Sequence, residues 1–407
     1  MIVKDVRLAR TGDAAVLSAR CKIRKLGWDT VYYSVENAAQ SADVYNDASP
    51  FATSLLLPSM KQGEDLIIRG SISQQLYKGM HAVMQEVLDW NLGFKPIEIK
   101  ADTVVADVHE PRKTATFFSG GVDSFYTYLK HKDDPVEADR VDTFILVNGF
   151  DIDLRNKRLW NRTLQNITDI AAAEKVEVVV VESNIYGLLE PIMNWDYSHG
   201  GCLAAVGLFL RGAFHQVYMP GSYSAEEQAI RTPLGTSLAI DGHWSTESTT
   251  FVHDGTEASR LDKVIWQIAQ SPLALEHLRV CHENEDKAYN CGKCEKCLRT
   301  MTSLYLAGAL EKSSTFPHRI DPKLFAAVPT TAIKTGDHFQ HEHLRILKER
   351  NLAPDLQEAI AVGLNNAAAL KSSLAADIMA RISYLDHIYA CGYARSVSAR
   401  LFGRRYS

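Results

Sequence analysis

Between Thr114 and Met219, short apolar runs alternate with amphipathic stretches at helical spacing, and no other feature constrains the fold as strongly. Thr114 to Phe118 reads as a short buried strand and Phe125 to Lys130 as a helix. Thr143 to Asn148 is a second apolar strand, Lys157 to Ala173 a helix, and Val176 to Val181 a third strand made almost wholly of valine. Cys202 to Phe214 reads as a helix and Gln216 to Met219 as a fourth strand. Continuous apolar strands need cover on both faces, and each crossover helix buries its stripe on the sheet it crosses. The expected architecture is α/β, a parallel sheet with helices on both faces.

Flanking this core, the pattern changes. In Leu17 to Arg24 apolar Leu17, Ala19, Cys21 and Ile23 alternate with polar residues, as in a half-buried strand, and Val31, Tyr33 and Val35 repeat the pattern. Leu76, Met80, Val83, Met84 and Val87 recur at helical spacing over Gln74 to Trp90, and Ile97 and Ile99 alternate with Glu98 and Lys100. Residues 1–110 are therefore expected to form an N-terminal α+β cap or docking domain, bounded near Pro111-Arg112-Lys113. Residues 111–310 would form the α/β domain and 311–407 a helical C-terminal region. Beyond Cys281 the chain reads as helical, with one expected helix at Leu298–Leu310, closing the α/β segment, and another in the last region at Leu374–Tyr389. Its basic tail carries Arg395, Arg400, Arg404 and Arg405.

The 44 basic and 49 acidic residues leave a net charge of −5, which argues against a chain built wholly to wrap nucleic acid. The arginine-rich tail is a candidate for contact with nucleic acid or protein, although a short basic tail is more often a solvated end. No apolar run approaches the roughly 20 residues of a membrane-spanning helix, and the N-terminus lacks the regions of a secretory signal. Seven cysteines, an odd number with four in one short stretch, favour metal ligation over a disulfide framework, and a cytoplasmic location is expected.

Ser119-Gly120-Gly121-Val122-Asp123-Ser124 falls between an expected strand and an expected helix. Two glycines let the backbone turn tightly, so several N–H groups can face one concavity, and the following helix adds its positive end. Such a nest holds polyphosphate without a charged side chain. The Ser119 and Ser124 hydroxyls can donate further hydrogen bonds, and Asp123 suits either Mg²⁺ ligation or orientation of the loop. The motif is neither GxxxxGK[ST] nor GxGxxG. The bland alternative is a serine- and glycine-rich turn at a helix cap.

Cys281, Cys291, Cys294 and Cys297 follow C-x9-C-x2-C-x2-C. A C-x2-C turn presents two sulfurs at the separation tetrahedral zinc needs, and a closed four-thiolate site is structural. An iron–sulfur cluster, a redox C-x2-C pair and plain burial compete with this reading, and adjacent His282 is an alternative ligand. Cys21, Cys202 and Cys391 have no partner at metal spacing and read as small buried apolar residues.

The Ser-Gly-Gly-Val-Asp-Ser loop resembles the SGGxDS loop of the PP-loop ATP pyrophosphatases, the adenine nucleotide α-hydrolase-like group. Together with the cysteine spacing behind Leu278-Arg279-Val280, it is similar to the 7-cyano-7-deazaguanine synthases over roughly Thr114 to Leu310. The resemblance implies a HUP-type fold with ATP, Mg²⁺ and Zn²⁺ as cofactors. It assigns ATP binding to Ser119, Gly120, Gly121, Val122, Asp123, Ser124, Asn148, Gly149 and Gly221, catalysis to Asp123 and Lys263, and metal binding to the four cysteines. In this likeness Val147, Asn148 and Gly149 end the strand that meets adenine, and Met219-Pro220-Gly221-Ser222-Tyr223 lines the site. The family's usual Gly-Tyr-Pro-Asp-Cys substrate stretch is missing, and relatives occur in anti-phage systems.

The implied activity is AMP- and pyrophosphate-forming adenylation of an acyl or carbonyl oxygen on a small-molecule or protein substrate, followed by attack of a nitrogen nucleophile. Positioning and electrostatics supply most of the acceleration in such a reaction, so no dedicated protein nucleophile is required. Sulfur transfer is a rival, weakened because Cys202 is the one cysteine between the loop and the cluster. A different class makes the chain an ATP-binding component of a multi-protein defence system, with the N-terminal domain docking a partner. Lys263 and Arg260 have a duller reading as solvated helix residues, and Asn148-Gly149 as a turn. Asp241-Gly242-His243-Trp244-Ser245, His253-Asp254-Gly255 and His199 before Gly200-Gly201 have the polar, glycine-rich character of active-site loops. Trp195 and Trp244 could stack on a base, with core packing the better expectation.

Overall fold

The apolar runs and alternating stretches mark out the strands, and a computed structural model shows what they build. It describes residues 1–23, 27–36, 44–111, 113–230, 233–281, 289–327 and 336–371. Arg112, His282, Cys391, the expected Leu374–Tyr389 helix and the four tail arginines lie outside the described residues.

Ten strands form one sheet: β1 Ile2–Thr11, β2 Ala14–Lys22, β3 Asp29–Glu36, β4 Leu66–Ser73, β5 Ile99–Val105, β6 Lys113–Phe117, β7 Thr143–Asn148, β8 Glu177–Ser183, β9 Phe214–Pro220 and β10 Thr250–Asp254. Their order is β10-β9-β6-β7-β8-β3-β2-β1-β4-β5. From β10 to β8 every pair is parallel. The sheet as a whole is mixed, because β8–β3, β3–β2 and β2–β1 are antiparallel. Counting the parallel half alone from β6, its order across the sheet is 5-4-1-2-3. The chain thus leaves β6 in one direction and later returns to its other side at β9, making a topological switch point between those two strands.

Residues 1–110 do not fold as a separate cap. Tyr33 pairs with Ser183 and Val35 with Val181, so β3 occupies the open edge of β8. An unpaired strand edge beside an apolar face is costly to leave open, and extending the sheet satisfies it. The Tyr32 hydroxyl donates to Glu182 Oε1 at 2.9 Å, and Asn184 bonds both Tyr32 N–H and the Thr30 carbonyl across the same seam. One core spans both halves, from Val3, Leu17 and Tyr33 to Phe209, Val217 and Phe251. Backbone contacts divide the chain into one compact unit of Met1–Ser119 with Asp123–Arg260, and a second of Gly120–Val122 with Leu261 onward. These units replace the three expected segments.

Helix Trp195–Phe209 begins seven residues earlier than the expected Cys202 start and takes in Gly200 and Gly201. Glycine is a poor helix former, yet a Cβ at Gly200 would lie 1.8 Å from the Gly235 carbonyl oxygen, and one at Gly201 2.9 Å from that of Thr53. Close packing needs the two glycines there and outweighs propensity. Thr53 belongs to helix Ser49–Gln62, whose residues Ser49–Met60 are all buried. A helix buried on every side has no amphipathic signature, and this one contains Pro50 and Pro58 as well.

In the second unit, helices Glu295–Leu306, Lys323–Ala327, Gly336–Glu349 and Pro354–Lys371 surround Leu261, Leu298, Phe325, Leu347, Leu356 and Ile360. No helix among the described residues is long and apolar enough to cross a membrane.

Candidate functional site

The Ser119–Ser124 loop leaves the carboxyl end of β6 and opens helix Val122–His131. Aromatic packing fixes where that helix sits. Phe118 stacks on Phe144 of β7 at 3.9 Å, meets Phe125 edge-on at 5.0 Å, and Tyr128 meets Phe144 at 4.8 Å. The far end of the helix is tied to β10: Thr127, Lys130 and His131 all reach the Asp254 carboxylate, at 2.7, 2.8 and 3.0 Å. Burial pushes that carboxyl up, but the bonds from His131, Lys130 and Thr127 outweigh it and hold Asp254 below the usual carboxylate range.

Within the loop Gly120 has φ +75°, a conformation that suits glycine, and its carbonyl accepts from Arg279 N–H at 2.8 Å. Val122 and Ser124 are buried, while Ser119, Gly121 and Asp123 are partly exposed. Asp123 Oδ2 accepts from Ser222 Oγ at 2.8 Å and pairs with Arg260 Nη1 at 2.6 Å. Ser222 follows Gly221, so the ends of β6 and β9 are linked side chain to side chain at the switch point.

Asn148 ends β7 and is buried; its Nδ2 donates to Glu182 Oε2 at 2.7 Å, while its Oδ1 is buried without a hydrogen-bond partner. Gly149 has φ +101°, and a Cβ there would sit 2.1 Å from the Ser183 carbonyl oxygen. Asn148-Gly149 is thus a turn that the duller reading described, with an orphaned acceptor at its start. Lys263 lies in helix Arg260–Trp266 and is wholly buried, and Arg260 is 8% exposed, so neither is a solvated helix residue.

The polar stretches resolve differently. His199 is inside a helix, bonded to the Trp195 carbonyl and to Thr236 Oγ1. Trp244 is fully buried, and Trp195 packs among Phe150, Tyr186 and His199. His253 and Asp254 end β10 instead of lying in a loop. Sequence spacing gave no sign of one pair: His253 Nδ1 lies 2.7 Å from Asp241 Oδ2. Gln228 Oε1 accepts from Leu238 N–H, so its amide nitrogen faces both the Tyr223 carbonyl and His253 Nε2. This network assigns the imidazole proton to Nδ1, where it donates to Asp241. Burial pushes the Asp241 carboxyl up, against the hydrogen bond from His253. The ring lies against Gly221, where a Cβ would be 2.5 Å from His253 Nε2.

No family model matches the chain, and no curated protein or solved structure matches it either.

In the second unit Cys281, Cys291, Cys294 and Cys297 bring four sulfurs within 4.8 Å of one another. Two edges of the set measure 3.9 Å, Cys281–Cys294, and 3.8 Å, Cys291–Cys297. A tetrahedron with metal–sulfur bonds of about 2.3 Å has edges of about 3.8 Å, so the donor set fits a metal such as zinc. Thiol–thiol hydrogen bonds, first from Cys291, hold Cys281 below the ordinary thiol range; the same contacts, first from Cys281, hold Cys294 and Cys297 above it. Gly292 makes the knuckle turn at φ +71°, and Cys294 N–H donates to Cys291 Sγ at 3.2 Å. Asn290, which spacing did not single out, accepts from the N–H groups of Val280 and Cys281 and donates to the carbonyls of Leu278 and Thr315. Buried Cys202 has its thiol pushed well up by desolvation, and burial pushes Cys21 to about 12.

Proposed function

We propose that the chain is an ATP-dependent, AMP- and pyrophosphate-forming adenylating enzyme of the 7-cyano-7-deazaguanine synthase-like type. It would activate an acyl or carbonyl oxygen for attack by a nitrogen nucleophile. The observation that carries this reading is the position of Ser119–Ser124 at the switch point between β6 and β9. Nucleotides bind α/β sheets in the crevice outside the carboxyl ends of the strands at such a point. The order 5-4-1-2-3 in the parallel half also favours the HUP-type assignment.

On this reading the loop amides and the start of helix Val122–His131 hold the triphosphate, Ser119 and Ser124 donate to it, and the turn at Asn148-Gly149 borders the adenine. Gly221 makes room for the His253 ring against the end of β9. Bound Mg²⁺, held by Asp123, would neutralise charge on the departing pyrophosphate. Zn²⁺ in the four-cysteine set would be structural, since a closed site leaves no position for a reacting group. Sulfur transfer loses support because Cys202, buried with a raised pKa, offers no ready thiolate.

The test is product analysis with host extract as substrate source: AMP plus pyrophosphate is expected, and ADP would refute adenylation. Metal analysis of the purified chain should find one zinc per chain and none in Cys297→Ser. A second reading, a partner-docking component of a multi-protein system, is favoured by the outermost strand. Val104, Val105 and neighbouring Val108 are exposed there, the last by 79%. Recovery of a partner that Val105→Lys abolishes would establish it, in the cytoplasm that the cysteine usage suggests.

A further inference from the structure

We infer that Arg260 is the resting counter-ion of Asp123 and exchanges it for phosphate when a magnesium nucleotide binds. This rests on the nucleotide reading above and goes beyond it. Asp123 sits in the loop read here as holding phosphate, yet its carboxylate is paired at 2.6 Å with a guanidinium and hydrogen-bonded by Ser222. Both charged side chains are largely sheltered, with 10% of Arg260 and 19% of Asp123 exposed. A cation meeting this carboxylate must compete with Arg260, so a lone divalent ion is poorly accommodated. A polyphosphate meeting Arg260 must compete with Asp123, so metal-free nucleotide is poorly accommodated too.

A magnesium–triphosphate complex resolves both conflicts in one step. Its cation replaces Arg260 on the carboxylate, and its phosphate oxygens replace the carboxylate on the guanidinium, whose planar fork matches phosphate. Ser222 keeps its bond to Asp123 throughout and holds the carboxylate in place. Each new contact is charge-assisted, so no buried charge is left alone during the exchange. The pair thereby makes the site selective for metal-loaded nucleotide over either component.

Calorimetric titration with ATP, in Mg²⁺ or in EDTA, tests this on the full chain. The wild type should bind Mg²⁺·ATP at least roughly tenfold more tightly than ATP in EDTA, a difference of about 1.4 kcal/mol. Asp123→Asn keeps an acceptor for Ser222 but releases Arg260, and its two affinities should converge. Arg260→Met should bind Mg²⁺·ATP roughly 10- to 100-fold more weakly, as expected for losing a charged hydrogen bond, and should bind Mg²⁺ alone better than wild type does. Arg260→Lys keeps the charge and serves should the methionine variant misfold; it should retain the magnesium preference. Unchanged magnesium preference in Asp123→Asn, or no gain of Mg²⁺ binding in Arg260→Met, overturns the exchange while leaving nucleotide binding intact. No heat with Mg²⁺·ATP in folded wild type overturns both the exchange and the nucleotide reading.

Discussion

Replacing Asn290 with alanine should loosen the cysteine knuckle by about 3 kcal/mol. Its Oδ1 accepts from Val280 N–H at 2.9 Å and Cys281 N–H at 3.2 Å, and its Nδ2 donates to the carbonyls of Leu278 and Thr315. The Leu278 carbonyl keeps a second donor in Thr315 Oγ1 at 2.8 Å, so the variant chiefly orphans two amides in a segment where Val280 and Cys281 are buried. A buried donor without a partner costs about 1–3 kcal/mol, and two of them give the total. At about 1.4 kcal/mol per factor of ten, amide exchange at residues 278–281 should speed up about 100-fold, read by hydrogen-exchange mass spectrometry on zinc-loaded protein. Because Cys281 is one of the four donors, zinc affinity should fall as well, by roughly 10- to 100-fold. Exchange within about threefold of wild type in Asn290→Ala, a difference under about 0.7 kcal/mol, would refute the view that this side chain positions Cys281.

Arg211→Met should destabilise the first unit by about 3–5 kcal/mol, because Arg211 is buried between Asp47 and Asp107 and its loss strands two sheltered carboxylates; chemical denaturation would show it. Burial, and then the Arg299 charge, hold His343 at about 3 against 6.5 when unfolded, so the unfolded chain binds the extra proton between those values. Stability from this group is therefore complete above about pH 6.5 and lost as pH falls toward about 3, at up to about 1.4 kcal/mol per pH unit; His343→Gln should flatten the fall in urea midpoint between pH 7 and 5. Gly221→Ala should cost about 1–3 kcal/mol by forcing the His253 ring aside, whereas Gly187→Ala, with nothing within 4 Å, should melt at or slightly above the wild-type temperature.

Much of the parallel half was legible because its strands are buried on both faces and therefore apolar without interruption, as in Thr143–Asn148. Where strands are half-exposed, alternation served equally well, as at Leu17–Ile23. Helix Ser49–Gln62 was not legible: it is enclosed on every side, and its periodicity is erased along with its polar face. The start of helix Trp195–Phe209 was masked by Gly200-Gly201, whose meaning lies in a neighbour distant in sequence. In the candidate site, the loop and the cysteines declared themselves through spacing. The Asp241–His253 pair and the Arg260–Asp123 ion pair did not, since such pairings are made by the topology and leave no local trace. Asn290 stood beside a cysteine without any pattern to distinguish it.

The junction between β3 and β8 means that the first hundred residues cannot be shaved off as a module. A truncation at residue 110 would bare the backbone donors and acceptors along Val181–Ser183 and uncover the apolar side chains that Tyr33 and Val35 now shield. Protein cut in this way would tend to stick to itself, and its failure to recruit a binding partner would say nothing about recruitment. Questions about this end of the chain are better put with single outward-facing substitutions that leave the strand in place.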